Sequence, residues 1–246
     1  MTLVLDIGNT RIKSGLFADN VCKEVNFWNT DQWPQLVAYA ANARVRSIVL
    51  ATVIPLEEAW IEQLRQQANV WLELTHRTSL PFRIAYHTPH TLGRDRIAAV
   101  AGAYALWPAQ NCLVIDCGTC IKYDILSAEG VYLGGNIAPG ASMRLKAMHV
   151  FTAQLPLASL EMPTTAIGHS TITALQNGAL RGAALEIEGF VRLFRQQFPN
   201  LTVILTGGDA TFFRSVLPFD LPVEPHLTLY GLNYLLHYHT TQQGQP

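Results

Sequence analysis

The feature that most constrains this chain is a pattern it carries twice. Residues 3–16 read Leu-Val-Leu-Asp-Ile-Gly-Asn-Thr-Arg-Ile-Lys-Ser-Gly-Leu, and residues 113–125 read Leu-Val-Ile-Asp-Cys-Gly-Thr-Cys-Ile-Lys-Tyr-Asp-Ile. Setting Asp6 on Asp116 brings Gly8 onto Gly118. One gap in the second copy then brings Ile12-Lys13 onto Ile121-Lys122. In each copy an apolar run ends near a carboxylate, a short turn follows and a second run leaves it: strand, turn, strand. The repeat distance is far too long for a solenoid unit but suits a duplicated domain. The expected division is therefore 1–111 and 112–246.

The atoms of such a hairpin suit a phosphate. Gly8 and Gly118 lack side chains, so phosphate oxygens can approach the backbone N–H groups. Asn9, Thr10 and Thr119 add short polar groups at the same height. Asp6 and Asp116 place carboxylates there, which makes sense beside a polyphosphate only if a cation lies between the like charges. Two such hairpins, one per domain, could hold a nucleoside triphosphate and its metal in a cleft between them. A plain β-turn with an acidic first residue is the blander account of either copy alone.

At 49% hydrophobic and 14% charged residues the chain can bury a real core. A net charge of −1 with no basic block gives no sign of nucleic-acid binding. The first apolar run is broken by Asp6 and Arg11, so no leader pattern is read, and no apolar stretch reaches membrane-spanning length. Cys117-x-x-Cys120 has no second pair or histidine at zinc spacing, so reduced thiols are expected. A cytoplasmic enzyme is the class this suggests.

Along the chain, Val21–Phe27 reads as a third strand. A helix over 32–43 has Asp31 or Thr30 as its expected cap, and a strand at 47–53 is followed by a helix at 56–67 and a strand at 70–74. This is a mixed α/β layer without the G-x-G-x-x-G dinucleotide fingerprint. Gly93-Arg94-Asp95-Arg96 sits where a loop becomes an alanine-rich helix at 97–107. A helix start offers free N–H groups and the positive end of a dipole. Arg96 adds a planar fork for a carboxylate or phosphate. Asp95, flanked by two arginines that favour its charged form, can accept a proton from a substrate hydroxyl. A helix cap with surface ion pairs explains the same residues without function. In the second half, a strand at 131–138 precedes a helix near 141–149. Ser170 or Thr171 caps a long helix running to about 197, and Thr171 is also a candidate for touching substrate. Gly207-Gly208 turns a strand at 201–206 into a helix, either as a plain tight turn or as a flat seat for an adenine or ribose. A final helix covers 227–239, with a frayed tail from Thr240.

Together these motifs resemble type III pantothenate kinase, a family of the acetate-and-sugar-kinase/actin superfamily. The resemblance runs nearly end to end. It rests on Asp6–Lys13, Ala51-Thr52-Val53-Ile54-Pro55, Gly93–Arg96, Asp116-Cys117-Gly118-Thr119, Gly134-Gly135-x-Ile137-x-Pro139-Gly140 and Thr206-Gly207-Gly208-Asp209-Ala210. It implies duplicated actin-like, ribonuclease-H-like α/β domains with the active site in the interdomain cleft. It also implies ATP-dependent phosphorylation of pantothenate to 4′-phosphopantothenate, the first step of coenzyme A biosynthesis. By the resemblance, Asp6, Ile7, Gly8, Asn9, Thr10, Arg11, Ile12, Lys13 and Thr119 bind ATP. Asp95 is the general base. Tyr86, Gly93, Arg94, Asp95, Arg96 and Thr171 hold pantothenate. Asp116 binds a monovalent cation, potassium or ammonium, magnesium accompanies ATP, and the enzyme is a homodimer. One departure stands out: Lys122 puts a cation where the family commonly has a threonine. Two other functions fit parts of the pattern, a nucleotide-binding regulatory or accessory protein and a sugar kinase of the same superfamily. A pure switch has no use for the carboxylate and arginine at 95 and 96, and a neutral sugar offers Arg96 no carboxylate.

Overall fold

The computed structural model describes residues 1–8 and 11–243, the side chain of Gln243 excepted. Its contacts divide the chain into two compact units. The first contains residues 1–109, Ala128–Leu133 and the segment from His226 onward; the second contains Gln110–Ser127 and Gly134–Pro225.

In the first unit, β1 (Thr2–Ile7), β2 (Ile12–Ala18) and β3 (Val21–Trp28) form an antiparallel meander. β4 (Ser47–Thr52) adds in parallel beside β1, and β5 (Val70–Glu73) beside β4, giving the order β3-β2-β1-β4-β5. The central strands are apolar on both faces because helices cover them. Leu3, Leu5 and Ile7 of β1 and Ile48 and Leu50 of β4 pack with Leu36 of α1 (Trp33–Asn42) and Leu64 of α2 (Glu58–Arg65). α1 starts differently from the sequence expectation. Neither Asp31 nor Thr30 caps it; the cap position is Gln32, whose Oε1 accepts the Asn29 N–H at 2.8 Å. Pro34 sits in the first turn, where its fixed φ suits a helix start and its missing N–H costs nothing.

α3 (Arg94–Leu106) and the final helix α8 (Leu227–Gln243) cross closely within this unit. A Cβ on Gly102 would strike the Leu227 carbonyl, and one on Gly231 would strike the Ala98 carbonyl. The crossing therefore requires hydrogen at both positions. α8 belongs by contact to the first unit, although it lies in the second half of the sequence. It also runs past residue 239, with the Thr240 and Thr241 hydroxyls each donating to the His237 carbonyl at 2.9 Å. A two-residue strand, β6 (Arg83–Ile84), pairs in parallel with Val131 and Tyr132 and has no clear signal in the sequence.

The second unit repeats the scheme. β7 (Cys112–Cys117), β8 (Cys120–Leu126) and β9 (Val131–Pro139, of which Val131–Leu133 group with the first unit) follow the order β10-β7-β8-β9, with β10 (Thr202–Thr206) parallel to β7. This matches β4-β1-β2-β3 strand for strand. α4 (Ala141–Val150) follows β9. A helix opens as α5 (Thr171–Gln176), widens for one turn at Asn177–Arg181 and continues as α6 (Gly182–Gln197). Ser170 caps α5 in a reciprocal box with Thr173. α7 (Ala210–Val216) follows β10. Ile115, Tyr123, Leu180, Ile187 and Phe213 lie in this unit's core. The buried Tyr123 donates to Glu186 Oε1 at 2.9 Å, and Arg144 donates to Glu186 Oε2 at 2.7 Å and to the Pro139 carbonyl at 2.9 Å. That chain of bonds ties β8, α6, α4 and β9 together.

Candidate active site

The two hairpins have the same register. In the first, Asp6 faces Lys13 and Ile7 faces Ile12, and the Gly8 N–H donates to the Arg11 carbonyl at 3.1 Å. In the second, Asp116 faces Lys122 and Cys117 faces Ile121, and the Gly118 N–H donates to the Cys120 carbonyl at 3.1 Å. The turn is one residue shorter, at the position of the sequence gap. Asn9 and Thr10 lie outside the described residues.

Around the first turn, the Arg11 guanidinium lies 4.7 Å from the Phe27 ring centroid and the Lys13 ammonium 6.0 Å from it. Two cations thus lie over one aromatic ring. Ile7 and Ile12 are fully buried in the core, so neither presents its side chain to a nucleotide. Asp6 Oδ2 accepts the Thr228 hydroxyl at 2.8 Å. Thr228 is buried in the first turn of α8, and no motif in the sequence points to it.

Gly93 is the cap position of α3, and Asp95 and Arg96 fall in its first turn. Asp95 Oδ1 accepts the Arg96 N–H at 2.9 Å, which curls the carboxylate back over the helix start. A Cβ on Gly93 would lie 2.5 Å from that oxygen, so the glycine makes the room. The guanidinium of Arg96, only 4% exposed, lies 5.7 Å from the Tyr86 ring centroid. Tyr86 in turn stacks with Tyr132 at 6.3 Å. The fold thus brings Tyr86, Gly93, Asp95 and Arg96 together, and it adds Tyr132, which the sequence reading had only as part of a strand. Arg94 turns elsewhere: its Nη1 donates to the Thr52 carbonyl at 3.0 Å, and it lines a cavity with Thr52, Ile54, Pro55, Leu56 and Glu73. Thr171 is the exposed first residue of α5 in the second unit.

In the second hairpin the Lys122 ammonium donates to Asp116 Oδ2 at 2.7 Å, and the two side chains are 17% and 15% exposed. Gly207 has φ +91°, and a Cβ there would strike both Asp116 Oδ1 and the Cys117 carbonyl. The first glycine of the Gly-Gly turn is therefore required by the position of the Asp116 carboxylate. Thr119 is exposed at the turn, with its carbonyl held by the Gly140 N–H at 3.1 Å. Burial pushes the Cys117 thiol well above its ordinary range, with the carboxylates of Asp116 and Asp209 adding to the effect. All four cysteines are free. Among the described residues no cluster of three His, Cys, Asp or Glu side chains is placed to hold a metal ion. Among them, too, no helix is long and apolar enough to cross a membrane.

Known proteins resemble this chain over nearly its whole length. The family model for type III pantothenate kinase matches residues 2–193. A type III pantothenate kinase of Bacteroides fragilis is 41% identical over 238 residues, covering 97% of this chain and 98% of the relative. Among solved structures, one described as a Baf family transcriptional activator from Campylobacter jejuni superposes with a TM-score of 0.65 at 22% identity, covering 97% and 99% of the two chains. A ROK family protein from Streptococcus pneumoniae superposes with a TM-score of 0.51 at 12% identity, covering 98% and 99%. These last two likenesses show a shared fold.

Proposed function

The chain belongs to the type III pantothenate kinase family, and from that premise we propose how its residues divide the reaction. The activity is ATP-dependent phosphorylation of pantothenate, the first step of coenzyme A biosynthesis. Neither the regulatory-protein nor the sugar-kinase alternative is favoured by relatives that match over nearly the whole chain.

The observation that carries the residue assignment is the start of α3, where a carboxylate and a buried guanidinium share one helical turn. Asp95 is the general base that takes the proton from the pantothenate hydroxyl as the phosphoryl group is attacked in line. Arg96, set against Tyr86, holds the substrate carboxylate in a planar fork, assisted by the N–H groups of the helix start. Gly93, Tyr86 and Thr171 complete the pantothenate site, while Arg94 is engaged by the Thr52 carbonyl. Asp6, Ile7, Gly8, Asn9, Thr10, Arg11, Ile12, Lys13 and Thr119 bind ATP. Thr228 is a positioning residue that orients the Asp6 carboxylate. Magnesium bound with ATP neutralises phosphate charge. Most of the rate enhancement then comes from positioning and fixed charge. Asp116 is the carboxylate that holds a single positive charge beside the second turn.

We read the enzyme as a cytoplasmic homodimer. Exposed apolar side chains in the second unit, among them Ile137, Val150, Phe151, Ile167 and Leu185, support a surface through which two copies meet.

Asp95→Asn keeps size and shape but removes the base. With saturating ATP and pantothenate, ADP release should fall by about 10²–10⁴, while ATP binding measured by calorimetry stays unchanged. Near wild-type turnover would remove Asp95 from the role.

A further inference from the structure

We propose that Lys122 supplies from within the chain the positive charge that the family resemblance assigns to a monovalent ion on Asp116, so that this enzyme works without potassium or ammonium. The proposal rests on reading the second hairpin as part of the nucleotide site.

The residues of that hairpin do not fit a potassium ion on Asp116. Its Oδ2 already accepts a 2.7 Å bond from the Lys122 ammonium, a length typical of a charge-assisted contact. Lysine's –NH₃⁺ is chemically an ammonium ion on a tether, with the same single charge and three donors for surrounding oxygens. The tether is held by strand register, because Asp116 and Lys122 are direct partners across β7 and β8. With both side chains about five-sixths covered, solvent does not screen the pair as it would a surface ion pair. The carboxylate cannot turn away to offer a fresh oxygen either. Its Oδ1 lies against the backbone at Gly207, in space that any side chain there would fill. A second cation on this carboxylate would lie close to the first, and the two would repel.

The first hairpin is built to the same register, with Lys13 facing Asp6 across the strands. There Asp6 Oδ2 accepts a neutral hydroxyl from Thr228.

The test uses the full-length wild-type protein and Lys122→Thr, exchanged into sodium buffers free of potassium and ammonium. Two readouts are taken at constant ionic strength: pantothenate-dependent ADP release, and ATP affinity by calorimetry, which needs no turnover. Wild type should show the same turnover and ATP affinity in sodium and in potassium, within about twofold. Lys122→Thr should lose about tenfold or more in sodium and regain it, with tighter ATP binding, when potassium or ammonium is added. Potassium-specific stimulation of wild type by about tenfold or more overturns the proposal, as does a Lys122→Thr variant fully active in sodium alone. A folded variant that is weak in every salt also overturns it, because Lys122 would then have another task. If Lys122→Thr does not fold, the wild-type comparison decides. A wild type that binds ATP but never phosphorylates pantothenate refutes the kinase assignment, and its ATP affinity in the two salts still decides the role of Lys122.

Discussion

Asp95 does not stand alone at the start of α3, because its carboxylate occupies space that only a glycine at 93 leaves open. Gly93→Ala is therefore a test of placement, not of chemistry. The methyl would displace the carboxylate oxygen, a flexible group, so the fold should absorb it with a stability change of about 0.5 kcal/mol or less. The carboxylate, however, would leave the point from which it takes a proton. Turnover should fall by about tenfold or more, with a thermal midpoint close to wild type; unchanged turnover would mean that the curled carboxylate is not the working conformation. At this scale much was legible. Gly93, Asp95 and Arg96 stood out because a helix start, a carboxylate and a guanidinium make sense together as chemistry. Thr228 and Tyr132 did not, since each acts only through a residue brought near it by folding.

Elements meet here through what they leave out. α3 and α8 cross with Gly102 and Gly231 against facing carbonyls, and backbone, unlike a side chain, cannot turn aside. Gly231→Ala should push the helices apart at a cost of about 1–3 kcal/mol and lower the unfolding midpoint in a thermal melt. Because α8 carries Thr228, ATP affinity should weaken in the same variant. Gly189→Ala is the matched control. It too replaces a helical glycine, but at an exposed position of α6 with nothing within 4 Å of the new methyl. It should stabilise by about 0.8–1 kcal/mol, the difference in helix propensity. A Gly231→Ala protein as stable as wild type would mean that the crossing is looser than described. Most elements were readable from periodicity and turn residues, including the hairpins, β4, α4 and the helix capped at Ser170. The start of α1 was misjudged because Pro34 substitutes for a capping oxygen. β6 escaped because two residues carry no period.

For the molecule as a whole, buried thiols make stability depend on alkaline pH. Burial pushes Cys112 up to about 11 from an ordinary value near 9, and Cys117 is raised as well. The folded state therefore resists ionisation that the unfolded chain accepts. The resulting stability is complete below pH 9 and is lost as pH rises through 9 to 11. Urea unfolding should give equal midpoints at pH 7 and 8 and a lower one at pH 10.5, with a smaller drop in Cys112→Ala; a midpoint flat to pH 11 would contradict the burial. The division of the chain shows most clearly where sequence reading stops. The repeated hairpin, the succession of elements along the chain and the paired Asp-x-Gly turns were determined by the sequence alone, since each follows from local patterns of apolar, small and acidic residues repeated at matching offsets. That α8 packs with the first unit, that Thr228 reaches Asp6 and that Lys122 rests on Asp116 were decided only by tertiary structure. These are contacts between side chains or segments whose partners no local pattern names, and only the register of strands and the crossing of helices bring them within bonding distance.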